Sequence, residues 1–152
     1  MLGRVTYQKL AAYWPTASPE REGDFVEVMN AIPKVVFSKT LQPSEVTWNN
    51  TQLNTGDLAH EVGALKHEPG NDIGIVGSAA LVQSLIRHGL LDRLSLQVHP
   101  VALGSEGGRA IFDGYDQTDF RLIECQRLDS QVIILDYEPK KLMVTCTENL
   151  QR

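Results

Sequence analysis

Apolar positions along this chain repeat with a period near two in some stretches and between three and four in others, and the changes of period mark its elements. Ile73 to Val76 is a short apolar run that predicts a strand, ending at Gly77-Ser78. Leu81, Val82, Leu85 and Ile86 then recur at helical spacing, with Ser78 as N-cap and Gly89 as the stop. Leu94, Leu96 and Val98 next alternate with Ser95, Gln97 and His99 until Pro100, which predicts a second strand. Strand, small-residue turn, helix and strand make one βαβ unit, and the Gly77-Ser78 turn lets backbone N–H groups face an anion at the helix start. A ligand-free turn fits the same residues.

The rest of the chain is arranged around that unit. Met1-Leu2 predicts the tail of a strand, and Gly3 opens a helix that runs to Trp14 and stops at Pro15. Residues 16 to 24 read as a polar loop, and Phe25, Val28, Met29 and Ile32 as a short amphipathic helix ending at Pro33. Lys34 to Phe37 and Val46 to Trp48 predict strands, with Asn49-Asn50-Thr51 as the turn after the second. Leu58, Val62 and Leu65 predict a helix capped by Thr55 or Asp57 and closed by Pro69-Gly70. Phe120 to Leu128 and Gln131 to Tyr137, separated by Asp129-Ser130, read as a hairpin. This order predicts an α/β fold: a mostly parallel sheet flanked by helices, with a C-terminal antiparallel hairpin.

Composition narrows the partners. With 152 residues, 42% hydrophobic and 22% charged, the chain fits one soluble domain. A net charge of −5 offers no basic stripe for nucleic acid. No apolar run approaches the roughly 20 residues that span a bilayer, and the first residues are not a signal peptide, so a cytoplasmic protein is expected. Cys125 and Cys146 suggest neither a disulfide framework nor a zinc site, and His60, His67, His88 and His99 fall in no metal-ligand spacing.

Candidate chemistry lies at the junctions. Gly3 permits close backbone approach, and Arg4 and Thr6 put a cation and a hydroxyl in the first turn of a helix, beside its positive end. Ser38-Lys39-Thr40 follows a strand directly, where open α/β sheets hold ligands. Gly104 to Arg109 is a flexible loop, with Arg109 its charge of interest. Each motif alone also fits a solvated loop or an ordinary cap.

Taken in order, Gly-Arg-x-Thr-Tyr at 3 to 7, Val-Phe-Ser-Lys-Thr at 36 to 40, Trp48-x-Asn50-Thr51-x-Leu53, Gly77-Ser78, Gly89-Leu-Leu-Asp92 and Val98-His-Pro-Val-x-Leu-Gly104 are distinctive. Their combination resembles the dihydrofolate-reductase-like family that includes the reductase domain of the bifunctional riboflavin-biosynthesis deaminase and reductase, most closely its stand-alone bacterial members. The resemblance covers residues 1–139, leaving 140–152 as a C-terminal extension. It implies NADPH bound across the carboxyl ends of the strands, a small-molecule substrate and a homodimer. By position, Gly3, Arg4 and Thr6 would hold the pyrophosphate, Ser38 and Lys39 the adenosine ribose and its 2′-phosphate, and Gly77, Ser78, Ala79 and Ala80 the phosphates through their backbone. Gly104, Ser105 and Arg109 would line the substrate side, and no metal is implied. Dihydrofolate reductases carry a cis Gly-Gly bond at the matching turn; with Ser78 in the second position, no cis bond is expected here.

Relative to that family the chain lacks the opening strand, nicotinamide-side loop and helix upstream of Met1. The missing strand would lie between those at 73 to 76 and 94 to 99, and the β-prone run Lys141 to Thr147 is a candidate to fill its slot. No residue is assigned as proton donor. Two functions follow from the resemblance. One is an NADPH-dependent reductase of a pyrimidine-, pteridine- or carbonyl-type substrate, similar to 5-amino-6-(5-phosphoribosylamino)uracil reductase or dihydrofolate reductase. The other is a non-catalytic nucleotide-binding or structural remnant of that fold.

Overall fold

The computed structural model describes residues 1–104 and 112–140. The chain packs as two units, one from Met1 to Leu90 and the other beginning at Leu91. In the first, β1 (Leu2–Gly3), β2 (Lys34–Phe37) and β3 (Thr51–Asn54) form a parallel sheet in that order. Leu2 pairs with Val36, and Lys34 with Thr51. The connections are helical, as parallel strands require. Helices α1 (Arg4–Ala11), α2 (Pro19–Glu22) and α3 (Phe25–Ala31) lie between β1 and β2, and α4 (Leu58–His67) and α5 (Ala79–Arg87) follow β3.

Burial of one face of this sheet organises the core. Leu2, Tyr7, Trp14, Val36, Leu41 and Trp48 form one buried cluster, with Val36 fully enclosed. Strand alternation puts Lys34 on the same side as Val36, and it too is buried, at 6% exposure. Its ammonium is satisfied by position: Nζ donates to the carbonyls of Met29 at 3.0 Å, Asn30 at 3.3 Å and Ile32 at 2.7 Å, and lies 4.4 Å from the centre of the Trp48 ring. Lys34 therefore caps the end of α3. Burial lowers its pKa from the ordinary lysine value.

A second polar anchor explains where sequence pattern and structure part. Val46 to Trp48 forms no strand, and β3 begins instead at Thr51, within the expected turn. The backbone N–H groups of Thr47 and Trp48 donate to the Tyr7 hydroxyl at 3.0 and 3.2 Å, so they are not available to a ladder. The Trp48 indole donates to Asn30 Oδ1 at 2.6 Å, and Asn50 turns the chain with φ of 55°. Two other expectations also change. Residues 19–22 of the polar loop form α2, whose Pro19 suits a first helical turn. Ile73 to Val76 pairs in no ladder, although Gly3 N–H donates to Gly77 O at 3.2 Å and the Met1 amino group to Gly74 O.

In the second unit, β4 (Leu94–Val98), β5 (Phe120–Arg127) and β6 (Ile133–Pro139) form an antiparallel sheet with β6 in the centre. The hairpin is as the sequence reads, but β4 pairs antiparallel to β6, so among the described residues parallel pairing is confined to β1, β2 and β3. The register sets Tyr137 between Leu94 and Leu122, Leu96 beside Leu135, and Val98 beside Ile133, which gives the sheet an apolar face. The opposite face carries Arg93 with Asp136 at 2.7 Å and Glu124 at 3.3 Å, and Arg121 with Glu138. Lys141 to Thr147, read as a candidate extra strand, lies outside the described residues. Among the described residues no helix is long and apolar enough to cross a membrane.

Replacing Lys34 by Met keeps the apolar stem and removes three charge-assisted hydrogen bonds, so urea denaturation should show a loss of about 2 to 4 kcal/mol. Tyr7→Phe leaves two backbone N–H groups without their acceptor and should cost about 1 to 3 kcal/mol, with the near-ultraviolet signal of Trp48 changed. A loss below about 0.5 kcal/mol in either variant would show that these anchors do not hold the fold.

Candidate functional site

All three parallel strands end at one place. Gly3 closes β1, Phe37 closes β2 and Asn54 closes β3, and each borders a cavity of about 480 Å³. Open parallel sheets hold their ligands at this end, because the strand-to-helix connections leave a crevice there and aim helix N-termini into it.

The helix starts differ in how they are capped. Helix α1 begins at Arg4 behind Gly3, whose lack of a side chain leaves the first-turn N–H groups without a side-chain cap. Helix α5 is capped by Ser78, whose Oγ accepts from Leu81 N–H at 3.4 Å. A Cβ on Gly3 would stand 2.7 Å from that Oγ, so the two starts touch through the space that glycine vacates. Gly77 takes φ of +102°, and a Cβ there would meet Thr6 Oγ1 at 3.3 Å. The Gly77–Ser78 peptide is cis, correcting the expectation that Ser78 in place of glycine goes with a trans bond.

At the end of β2, the Ser38 hydroxyl oxygen accepts from Thr40 N–H at 3.1 Å and Leu41 N–H at 3.0 Å, so Ser38 shapes the turn that presents Lys39. Lys39 and Arg4 border the cavity, and neither has an ion-pair partner among the described residues; Arg4 reaches only Gln8 Oε1, at 3.3 Å. At the end of β3, Asn54 Nδ2 donates to Glu61 at 2.8 Å while its Oδ1 accepts from Gly56 N–H at 2.9 Å. Asp57 caps α4 by accepting from His60 N–H at 2.9 Å, and that bond, foremost, holds its carboxyl below the usual range.

The structure thus brings Gly3, Arg4, Ser38, Lys39, Ser78 and Ala80 to one cavity, with Thr6 and Gly77 packed together behind it and Ala79 within the first turn of α5. Gly104 lies in the second unit with open space where a Cβ would be, and Ser105 and Arg109 lie outside the described residues. The sequence reading missed Asn54, Gly56, Asp57, Ser84 and His88, which also border the cavity. A signal for the last two was present: Ala80, Ser84 and His88 recur every four residues, on a different stripe of α5 from the buried Leu81 and Leu85.

Comparison with known proteins agrees with this fold. The model of the RibD C-terminal domain family matches residues 1–134. The chain is 28% identical over 138 residues to the uncharacterized protein YyaP of Bacillus subtilis strain 168, covering 90% of this chain and 71% of that protein. Its fold is similar to that of a Shewanella sp. PV-4 protein provisionally assigned to riboflavin biosynthesis, with TM-score 0.68, 20% identity, and coverage of 92% of this chain and 72% of that one. A pyrimidine reductase-like protein from Corynebacterium diphtheriae is similar at TM-score 0.55 and 17% identity, over 91% of this chain and 74% of that one. With its family model matching residues 1–134 of 152, the chain belongs to the RibD C-terminal domain family, a riboflavin-biosynthesis reductase-like family.

Proposed function

We propose that the protein is an NADPH-dependent reductase that delivers hydride to a small pyrimidine-, pteridine- or carbonyl-type substrate. The observation that carries this reading is the gathering of an uncapped helix start and two cations without ion-pair partners, Arg4 and Lys39, at the carboxyl ends of three parallel strands. Such a place suits a ligand with several phosphates: the helix start supplies N–H donors and the cations supply charge.

The residues present fit that cofactor. Gly3 and Gly77 keep the space beside Ser78 and Thr6 free of side chains, so backbone can approach a pyrophosphate. Gly3, Arg4 and the Gly77 to Ala80 turn would hold the pyrophosphate, and Lys39, presented by the Ser38 turn, the 2′-phosphate. When bound, NADPH supplies a hydride from its reduced nicotinamide. The chain's own part is to bind and orient, with charge at the phosphate end and the α5 face along the cavity. A homodimer belongs to the same reading. It is supported by the apolar face of the antiparallel sheet, where Val98, Leu122 and Ile133 are 47%, 50% and 37% exposed.

NADPH should raise the melting temperature by several degrees, corresponding to about 2.7 kcal/mol at a hundredfold its Kd, and NADH should raise it less. Lys39→Ala should weaken NADPH about tenfold and leave NADH nearly unchanged. Equal shifts for both nucleotides, or none, would remove the cofactor assignment. Binding without oxidation by any pyrimidine, pteridine or carbonyl compound would favour a non-catalytic nucleotide-binding protein. Gly3→Ala drives a methyl group into Ser78 Oγ, so it should cost about 1 to 3 kcal/mol and abolish the NADPH-induced shift. Combined with Ser78→Ala, the cost in urea denaturation should be less than additive, and full additivity would show that the two residues do not touch.

A further inference from the structure

The cavity carries opposite charge on two sides. Ser78, Ala80, Ser84 and His88 all border it, so it follows one stripe of that helix from its N-cap to its C-cap, about 15 Å at 1.5 Å per residue. Gly3, packed against Ser78, fixes the phosphate end. Asp57 borders the cavity on the side away from Gly3, because it follows β3, and β2 lies between β3 and the β1 that ends at Gly3. It is the only carboxylate among the described residues that border the cavity.

Helix α4 also aims its N-terminus at this cavity, but its N-cap there is a carboxylate: Asp57 accepts from His60 N–H at 2.9 Å. A phosphate placed there would meet a carboxylate in possession of the helix end. The neighbouring carboxylate is engaged as well, since Glu61 accepts from Asn54 Nδ2 and meets the His60 ring. Asp57 has acceptor capacity left after the capping bond, and an acceptor-only group asks for a donor on the ligand. Leu58, next to Asp57 in the chain, provides apolar surface for a flat ring beside it.

Resting on the NADPH reading above, we propose that Asp57 is a specificity-determining residue that accepts a hydrogen bond from the exocyclic amino group of the cofactor's adenine. The protein then distinguishes an amino-bearing base from one with a carbonyl at the same position, because the carbonyl brings an acceptor against a carboxylate and leaves both without a donor. His88, at the C-cap of α5, borders the same cavity.

The test compares NADPH with its analogue carrying hypoxanthine in place of adenine, titrated by calorimetry against the intact protein and against Asp57→Ser. Serine also caps helices well, so the variant keeps α4 while removing the carboxylate. The native protein should bind the hypoxanthine analogue about tenfold more weakly than NADPH, and Asp57→Ser should bring the two within about twofold. Equal affinities in the native protein overturn the proposal while the cofactor reading stands. A tenfold preference that survives in Asp57→Ser overturns it too, since another group then reads the base. Binding of neither compound overturns the cofactor reading, and the proposal with it.

Discussion

The arrangement of this site depends on one close approach, that of the β1–α1 junction to the start of α5. At Gly3 the backbone comes near enough to Ser78 that a methyl group would stand 2.7 Å from its hydroxyl. The hydrogen bond from Gly3 N–H to Gly77 O holds the two segments in that register. Because each segment ends where a helix begins, the contact sets two positive helix ends side by side. A larger residue at position 3 would separate them and leave two isolated caps where there is now one cradle.

The remaining wall of the cavity is placed by polar anchors within the core. Tyr7 extends from α1 to hold the backbone at Thr47 and Trp48, and Asn30 takes the indole of Trp48. These bonds fix where the chain enters β3, and so where Asn54, Gly56 and Asp57 emerge at its end. Lys34 performs the matching task at α3, donating to the carbonyls of Met29, Asn30 and Ile32. The apolar cluster supplies the bulk of the burial. The polar anchors choose among the registers that burial alone would tolerate.

Charge then divides the cavity. Arg4, Lys39 and the uncapped α1 bring positive charge to it, while Asp57 sets a carboxylate at the start of α4. A small cavity with opposite charge on two sides orients a ligand as well as binding it, and orientation is the protein's share of a hydride transfer.

Local pattern was enough for the elements whose stability is local. The Ser78 cap, the stripe of α5, the apolar run of β2 and the hairpin around Asp129-Ser130 all stand as the residues read, because capping, amphipathic spacing and turn chemistry act over a few positions. The junction motifs were legible for the same reason. Tertiary contacts decided the rest. Val46 to Trp48 has strand-forming residues, yet its N–H groups went to a tyrosine some forty positions away. Lys34 reads only as the start of an apolar strand; that its charge is buried was decided by the end of α3, which gathers three carbonyls around it. Ser84, His88 and Asp57 carried no chemistry until the sheet end and α5 enclosed one space between them. Sequence settles what a segment can form with its own neighbours; which distant groups satisfy its polar atoms and share its cavity is settled only when the chain packs.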